Sequence, residues 1–163
     1  MAHATRLEHC GPGIHLRALV EISNHCVRAC HYCGLRGPNR RLPRFRLTIQ
    51  EVLSATERAA TAGFGTVVLQ AGEDPSWTRE EISELVRRIK DRFGLAVTLS
   101  LGERPREDLE EWKRAGANRY LLRFETSNPE LYRRLHPARA GAADRIARLG
   151  WLRDLDYEVG TGF

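Results

Sequence analysis

The sequence predicts an α/β fold in which parallel strands alternate with single helices. Short apolar runs of strand length recur along the 163 residues, a length that suggests one domain. Between successive runs lie amphipathic stretches of helical period, and Gly or Pro marks most boundaries. Strands joined by single helices form parallel βα units with right-handed crossovers. Four units and a fifth strand account for the chain, and both an open doubly wound sheet and a βα barrel are consistent with them.

The first unit begins with a mainly apolar strand at Leu16–Ser23. Its helix is predicted to start at Thr48, a natural N-cap, because Glu51 follows three residues later and completes a capping box. The helix ends at Gly63, and a short buried strand is predicted at Thr66–Gln70.

The second unit repeats these signals. Thr78 and Glu81 have the spacing of another capping box, and Gly94 ends the helix. A third strand is predicted at Leu95–Leu101. Pro105 then opens a third helix at a tolerated first-turn position.

The last two units complete the pattern. A fourth strand is predicted at Arg119–Glu125. Asn128 and Pro129 begin a helical stretch that is interrupted at Pro137–Gly141. A last helix near Ala143–Asp154 leads to a fifth strand at Tyr157–Gly160.

Composition and charge limit the possible functions. The net charge is +5, and its densest patch, just after three clustered cysteines, could contact nucleic acid. That patch lacks the interleaved aromatic series of a stacking platform, so a solvated loop near anionic ligands is favoured and a nucleic-acid partner is not expected. The positively charged patch consists of Arg36, Arg40, Arg41, Arg44 and Arg46.

No apolar run reaches membrane-spanning length and no signal-peptide core precedes Gly13, which predicts a cytoplasmic protein with no membrane partner.

The most informative motif is the run of three cysteines at Cys26, Cys30 and Cys33. Three thiolates can hold three irons of a cubane 4Fe–4S cluster and leave the fourth iron open to a ligand, whereas the usual cluster has four cysteine ligands. A zinc site completed by His25 or His31 is an alternative, although structural zinc sites usually draw a second ligand pair from elsewhere in the chain. A redox CxxC motif would leave Cys26 unexplained.

Polar residues follow the strands at their carboxyl ends, the edge where barrel enzymes place their chemistry. The three cysteines follow the first strand, and Gly72–Asp74 follows the second. Thr98 and Ser100 share one face of the third strand, and Arg123 and Glu125 share one face of the fourth, since strand side chains alternate. A charged pair on a buried strand needs a ligand or a partner. We therefore interpret the pair as functional rather than as a structural ion pair.

Several stretches resemble the radical S-adenosylmethionine (SAM) superfamily and, within it, the HydE family of FeFe-hydrogenase maturases. Methylornithine synthase, which shares the Gly-Glu-Asp-Pro run, is the next most similar family, and biotin synthase is less similar. The stretches are Glu21–Asn24, Tyr32–Arg36, Leu69–Pro75, Thr98–Arg104, Tyr120–Thr126, and Leu131-Tyr132 with Leu135–Pro137.

This resemblance implies a partial TIM-type (βα) barrel of about four units plus a fifth strand. Residues 1–13 would be a lead-in with little helix, and residues 14–163 the N-terminal half of the barrel domain. The C-terminal half is expected to be absent, since a full barrel has eight strands. The chain would then be a fragment, or alternatively a half-barrel that dimerises.

The resemblance also implies a function and roles for individual residues. The chain would cleave SAM reductively to a 5′-deoxyadenosyl radical, with a 4Fe–4S cluster and SAM as cofactors. Its partners would be a small organometallic or amino-acid-derived substrate, an electron donor such as flavodoxin or ferredoxin, and other hydrogenase maturases. A module that binds metal or nucleic acid without catalysis is the alternative of another class. The implied cluster ligands are Cys26, Cys30 and Cys33; the cofactor-binding residues are Tyr32, Gln70, Gly72, Glu73, Ser100, Glu125 and Arg145, with Arg148 as a weaker alternative to Arg145; and the catalytic residues facing the substrate are Thr98 and Arg123.

Overall fold

A computed structural model describes residues 2–137 and 142–163. Five parallel strands form one sheet in the order β1-β2-β3-β4-β5. The strands are β1 Ala18–Ser23, β2 Thr66–Ala71, β3 Ala96–Ser100, β4 Arg119–Leu121 and β5 Glu158–Gly160. The helices are α1 Ala2–Cys10, α2 Ile49–Thr61, α3 Arg79–Phe93, α4 Arg106–Arg114, α5 Pro129–Leu135 and α6 Ala142–Asp154. A doubly wound sheet reverses its strand order at a switch point. This order never reverses, so the structure adopts the barrel alternative.

The predicted helix starts are confirmed at atomic detail. Glu51 N donates to Thr48 Oγ1 at 3.2 Å while Thr48 N donates to Glu51 Oε2 at 2.7 Å, a complete capping box for α2. Thr78 makes the same reciprocal pair with its N3 glutamate at the start of α3. Gly94 ends α3 with a left-handed φ of 65°. Pro105 stands at the N-cap of α4, one position earlier than predicted. Local signals therefore fix where the helices begin.

The main core lies between the sheet and the helices. One face of the sheet packs against apolar stripes of α2, α3 and α4, which follow the helical period. The other face is more open, as Leu19 at 56% exposure shows, and it carries Gln70 and Ser100 toward the candidate site. Fully buried residues of this core include Ile22, Leu69, Leu99, Tyr120, Leu53, Ile82, Leu85, Ile89 and Trp112.

The fourth strand is shorter than predicted, and this corrects one site interpretation. β4 ends at Leu121, so Arg123 and Glu125 do not share a strand face. Glu125 has a φ of 68°, in the left-handed region that non-glycine residues rarely adopt, and it breaks the two-residue alternation. Its backbone N–H is held by Gly162 O at 3.2 Å. The directions of the Arg123 and Glu125 side chains therefore do not follow from the alternation of side chains along a strand.

The N-terminal residues contain more helix than predicted. Little helix was expected before Ile14, but α1 spans Ala2–Cys10. Arg6 Nη1 donates to the carbonyl oxygens of Gly11 and Gly13, both at 3.1 Å, and this satisfies groups just beyond the helix end. α1 buries none of its residues, so no apolar stripe marks it in the sequence.

The predicted helical stretch after β4 begins where expected, at Asn128. Most of the predicted interruption at Pro137–Gly141 lies outside the described residues. Asn128 caps α5 by accepting from the backbone N–H groups of Glu130 and Leu131, as its sequence position suggested.

No helix within the described ranges has the length and apolar character that spanning a membrane requires.

Candidate active site

A cleft of about 350 Å³ opens at the carboxyl end of the sheet, the edge at which the sequence predicted the chemistry. The cysteine loop, residues 24–46, forms one wall, and the segments that follow β2, β3 and β4 form the others. Three predicted residues, Tyr32, Cys33 and Thr98, are not part of its lining. The predicted residues that line it are Cys26, Cys30, Gln70, Gly72, Glu73, Ser100, Arg123, Glu125 and Arg145.

The cysteine loop is hydrogen-bonded to the sheet at two places. Arg46 forms an isolated antiparallel bridge with Ser23, which returns the chain to the end of β1. Val27 N donates to Glu73 O at 2.9 Å, which joins the middle of the loop to the turn after β2. The backbone around the first cysteine is therefore fixed relative to two strand ends.

Gly72 lies in direct contact with this loop. A Cβ added at Gly72 would come within 2.6 Å of Cys26 Cβ and closer still to the His25 carbonyl oxygen. Only glycine permits so close an approach, so the predicted glycine serves the packing of the loop on the strand end. Gln70, two residues earlier, donates instead to Glu21 Oε1 at 2.9 Å on the open sheet face.

The three clustered thiols differ from the fourth in burial and surroundings. Cys30 is buried, Cys26 and Cys33 are partly buried, and Cys10 is exposed on α1. Burial raises the pKa of the Cys30 thiol, the positive charge of Arg145 lowers it, and the neighbouring Cys26 and Cys33 raise it again. Cys26 and Cys33 therefore lie near enough to Cys30 to influence its charge.

Within residues 2–137 and 142–163, no three His, Cys, Asp or Glu side chains are grouped closely enough to hold one metal ion.

A buried ion-pair network occupies the opposite side of the cleft. Arg145 Nε donates to Glu103 Oε1 at 2.6 Å, and its Nη1 donates to Arg123 O at 2.9 Å. Glu125 Oε1 is 3.6 Å from Arg145 Nη1. Arg145 and Glu125 therefore lie next to each other in the cleft, whereas Arg123 contributes its backbone oxygen and keeps an exposed side chain.

Arg28 extends this network to the cysteine loop. Its Nε pairs with Glu73 Oε2, and its Nη2 is 3.9 Å from Glu103 Oε2. Arg148 Nη1 is 3.6 Å from the same Glu103 oxygen. Glu103 is thus surrounded by three guanidinium groups, which offset the cost of burying its carboxylate.

Tyr32 lies behind the cysteines in an aromatic cluster. Its hydroxyl is 3.0 Å from His136 Nε2, and the buried His136 ring stacks on Tyr132 with centroids 4.1 Å apart. Burial and the negative charge of Glu125 raise the Tyr32 pKa, so its hydroxyl stays protonated. The ring is half exposed and fixed in position, which leaves a face for a ligand.

Thr98 lines a separate cavity of about 290 Å³, deeper along the same sheet face. Its buried hydroxyl has no hydrogen-bond partner among the described residues, and the same is true of Arg119 Nη1. The two residues are neighbours because Thr98 pairs with Arg119 in the β3–β4 register. Glu158 of β5 also lines this cavity and pairs with Arg119 Nε.

Sequence reasoning missed several residues that contribute to these sites. Glu103 and His136 were inside stretches that carried the family resemblance, so those stretches were the available signal. Arg28 lies within the cysteine motif itself. Arg119 could not be found, because its proximity to Thr98 depends on strand register.

Residues 20–163 match the family profile described as the Radical SAM superfamily, and the chain belongs to that superfamily. The predicted partial TIM-type barrel is confirmed. The superfamily is one of enzymes that use a 4Fe–4S cluster and SAM.

Among curated proteins the chain is similar to the [FeFe] hydrogenase maturase subunit HydE of Thermotoga maritima, with 47% identity over 162 residues, which cover 99% of this chain and 46% of that protein. Among solved structures it resembles methylornithine synthase (PylB), with a TM-score of 0.92 and 28% identity over 99% of this chain and 48% of the other. It also resembles HydG, a maturase of the [FeFe]-hydrogenase, with a TM-score of 0.85 and 26% identity over 99% and 38%. The chain therefore spans about half the length of these relatives or less.

The residues present fit both cofactors. Three neighbouring thiols on one loop supply the soft ligands that iron–sulfur clusters require. Gly72 keeps the strand end in contact with the first of them. Arg145 offers a guanidinium for a carboxylate, and Glu125 and Glu73 offer acceptors for hydroxyl or amino groups within the same cleft.

Proposed function

We propose that this chain is part of a HydE-type radical SAM maturase that acts on a small organometallic or amino-acid-derived precursor of the hydrogenase's active-site cluster. The observation that carries the proposal is the meeting, in one cleft, of two cysteines of the motif with Arg145 and Glu125. Residues 14–163 would be the N-terminal half of a barrel domain, preceded by the lead-in at residues 1–13. The 47% identity to HydE supports this assignment over other branches of the superfamily.

Cys26, Cys30 and Cys33 would hold the cluster. Held by these three thiolates, a reduced cluster would supply the electron for the reductive cleavage of SAM. The protein's part is to bind, orient and exclude water, because the cofactors carry the chemistry. Cys30 is already buried and lies close to the charge of Arg145, so one ligand is shielded from solvent in the protein alone.

Arg145 and the acidic residues would orient SAM. A guanidinium matches a carboxylate through two parallel N–H donors. Arg145 now uses Nε for Glu103 and Nη1 for Arg123 O, while its Nη2 is 3.9 Å from Glu73 Oε1. The Nη2 side is therefore the part of the guanidinium best placed to receive the ligand's carboxylate. Glu125 would accept from a ribose hydroxyl.

The cavity beside Thr98 would receive the substrate. A hydroxyl and a guanidinium N–H, both buried and lacking partners among the described residues, suit a polar or anionic group. Arg123, exposed at the cleft, would complete the substrate end, as the sequence predicted. Thr98 and Arg123 thus remain predicted catalytic or substrate-contacting residues.

A methylornithine-synthase-like activity is the second candidate. The TM-score of 0.92 to that enzyme favours it, and the higher sequence identity to HydE weighs against it. Both candidates share the cluster, SAM and the cleft, and they differ in the substrate. Product analysis with amino-acid substrates would separate them.

The proposed partners follow from the same assignment. An electron donor such as flavodoxin or ferredoxin would reduce the cluster, other hydrogenase maturases would exchange substrate or product, and the compartment would be the reducing cytosol. A nucleic-acid-binding module is less well supported, because two arginines of the basic patch have inward contacts. Arg46 pairs with Asp74, and Arg44 hydrogen-bonds to the cysteine loop.

SAM cleavage tests the proposal. The chain is reconstituted anaerobically with iron and sulfide, reduced with dithionite and supplied with SAM, and 5′-deoxyadenosine is measured. We expect product from the parent chain and from Cys10→Ala, because Cys10 lies on exposed α1, and none from Cys30→Ala. Equal product from Cys30→Ala and the parent chain would contradict the assignment.

A further inference from the structure

One guanidinium lies at the centre of the cysteine loop. Arg44 donates four hydrogen bonds to backbone carbonyl oxygens of this loop. The acceptors lie on both sides of the three cysteines in the sequence, one before Cys26 and three after Cys33. They are Asn24 O, Leu35 O at 2.9 Å, Arg36 O at 2.9 Å and Asn39 O at 3.3 Å.

The rest of the loop is folded around this centre by its own backbone. Gly37 N donates to Arg28 O at 2.6 Å, which closes the loop on itself. Asn24 Nδ2 donates to Pro43 O at 2.8 Å, and Asn24 Oδ1 accepts from Phe45 N at 2.7 Å. No strand or helix of the structure lies between residues 24 and 46, so these contacts replace the regular ladders that satisfy backbone groups elsewhere.

We propose that Arg44 is a positioning residue for the three thiols: its guanidinium orders residues 24–39 before any metal binds. It acts on the cysteines only through the backbone that carries them. Arginine suits this role because its planar fork presents five fixed N–H donors, whereas lysine presents one compact ammonium. Metal-binding loops commonly gain their order when the metal binds. Here the ordering of the loop is supplied by a side chain of the loop itself.

Amide hydrogen exchange on the metal-free chain, kept in a chelator, tests this directly. The reporters are the hydrogen-bonded amides of Val27, His31 and Gly37. Arg44→Gln should raise their exchange rates by about tenfold or more, as expected when hydrogen bonds to a charged donor are lost. Arg41→Gln is the matched control, because Arg41 is exposed, lies in the same loop and loses the same charge.

Either of two results with the parent chain and the Gln variants would overturn the proposal. One is fast exchange of the loop amides in the metal-free parent chain, which would mean that the loop has no order without metal. The other is equal protection in Arg44→Gln and Arg41→Gln. Amides of α3 report whether a variant has unfolded globally. If Arg44→Gln does unfold, Arg44→Lys is measured instead, because it keeps the positive charge. Its loop amides should show intermediate protection. Loop amides of Arg44→Lys that exchange at the rate of the parent chain would overturn the proposal.

A second readout rests on the proposed function. During anaerobic reconstitution, Arg44→Gln should take up iron several-fold more slowly than Arg41→Gln, with Arg44→Lys in between. Equal uptake rates in the three variants would contradict a positioning role toward the thiols. If the parent chain takes up no cluster at all, the proposed function fails, while the exchange experiment still judges the order of the loop.

Discussion

Replacing Asp74 with Asn should remove an ion pair that joins the cysteine loop to the sheet. The Asp74 carboxylate is buried and accepts from Arg46 Nε and Nη2, both at 2.8 Å. It also accepts from Ser23 Oγ at 2.6 Å and from Ser76 N at 3.1 Å. Asn has the same shape but no charge, so the substitution tests the electrostatic contribution rather than the packing.

The magnitude follows from the pKa of Asp74. Burial raises this pKa, but the hydrogen bonds from Arg46, Ser23 and Ser76 outweigh it and lower the pKa from 3.8 to about 2. Such a difference between folded and unfolded states corresponds to about 2.5 kcal/mol of stability. Because the folded pKa is depressed, this stability is complete above the unfolded pKa and is lost as pH falls toward the folded pKa. About half of it should remain near pH 3.

Urea unfolding at several pH values measures this effect. Asp74→Asn should lower the free energy of unfolding by about 2–3 kcal/mol at neutral pH, and its difference from the parent chain should shrink between about pH 4 and pH 2. Glu84→Gln is the control, because Glu84 and Arg88 form an exposed pair and such pairs contribute little. A deficit for Asp74→Asn that is the same at neutral pH and near pH 3 would refute the reasoning.

Three further predictions concern the site. Gly72→Ala should lower the free energy of unfolding by about 1–3 kcal/mol through overpacking against the loop, whereas Gly34→Ala, with open space around it, should not; thermal unfolding checks both. Thr98→Val should leave the free energy of unfolding unchanged or raise it by about 1 kcal/mol, because the Thr98 hydroxyl has no hydrogen-bond partner among the described residues. Thr56→Val is the control: it removes the 2.8 Å hydrogen bond from Thr56 Oγ1 to Val52 O and should lower the free energy of unfolding by about 1 kcal/mol. Glu125→Gln should weaken SAM binding by roughly ten- to a hundredfold, measured by calorimetry, with stability little changed.

Helix boundaries and the parallel topology were predictable because their causes are local. Thr48 with Glu51 and Thr78 with Glu81 form the capping boxes that their spacing predicts, since N-cap and N3 are neighbours in any helix. Gly94 takes the left-handed conformation that ends α3. Apolar periodicity then placed the core faces of the helices correctly.

The cleft was predictable in outline, because parallel strands all end at one edge of the sheet. That rule brought Cys26, Gly72 and Glu125 together although they are far apart in the sequence. It failed for the direction of Glu125, since the positive φ at that residue is a tertiary effect.

The ion-pair network and the cavity beside Thr98 were not predictable from the sequence alone. Glu103 is surrounded by three arginines from distant positions, and Thr98 meets Arg119 only through strand register. Long-range contacts of this kind depend on packing, which residue spacing does not encode. Helix α1 was missed for another reason, as it buries nothing and leaves no apolar pattern.

The EPR spectrum of the reduced, anaerobically reconstituted chain, recorded with and without SAM, tests the central claim most directly. We predict about four irons and four sulfides per chain, loss of that content in Cys30→Ala but not in Cys10→Ala, and a spectrum that changes when SAM is added. A colourless protein that contains zinc, or an iron–sulfur spectrum unaffected by SAM, would contradict the account.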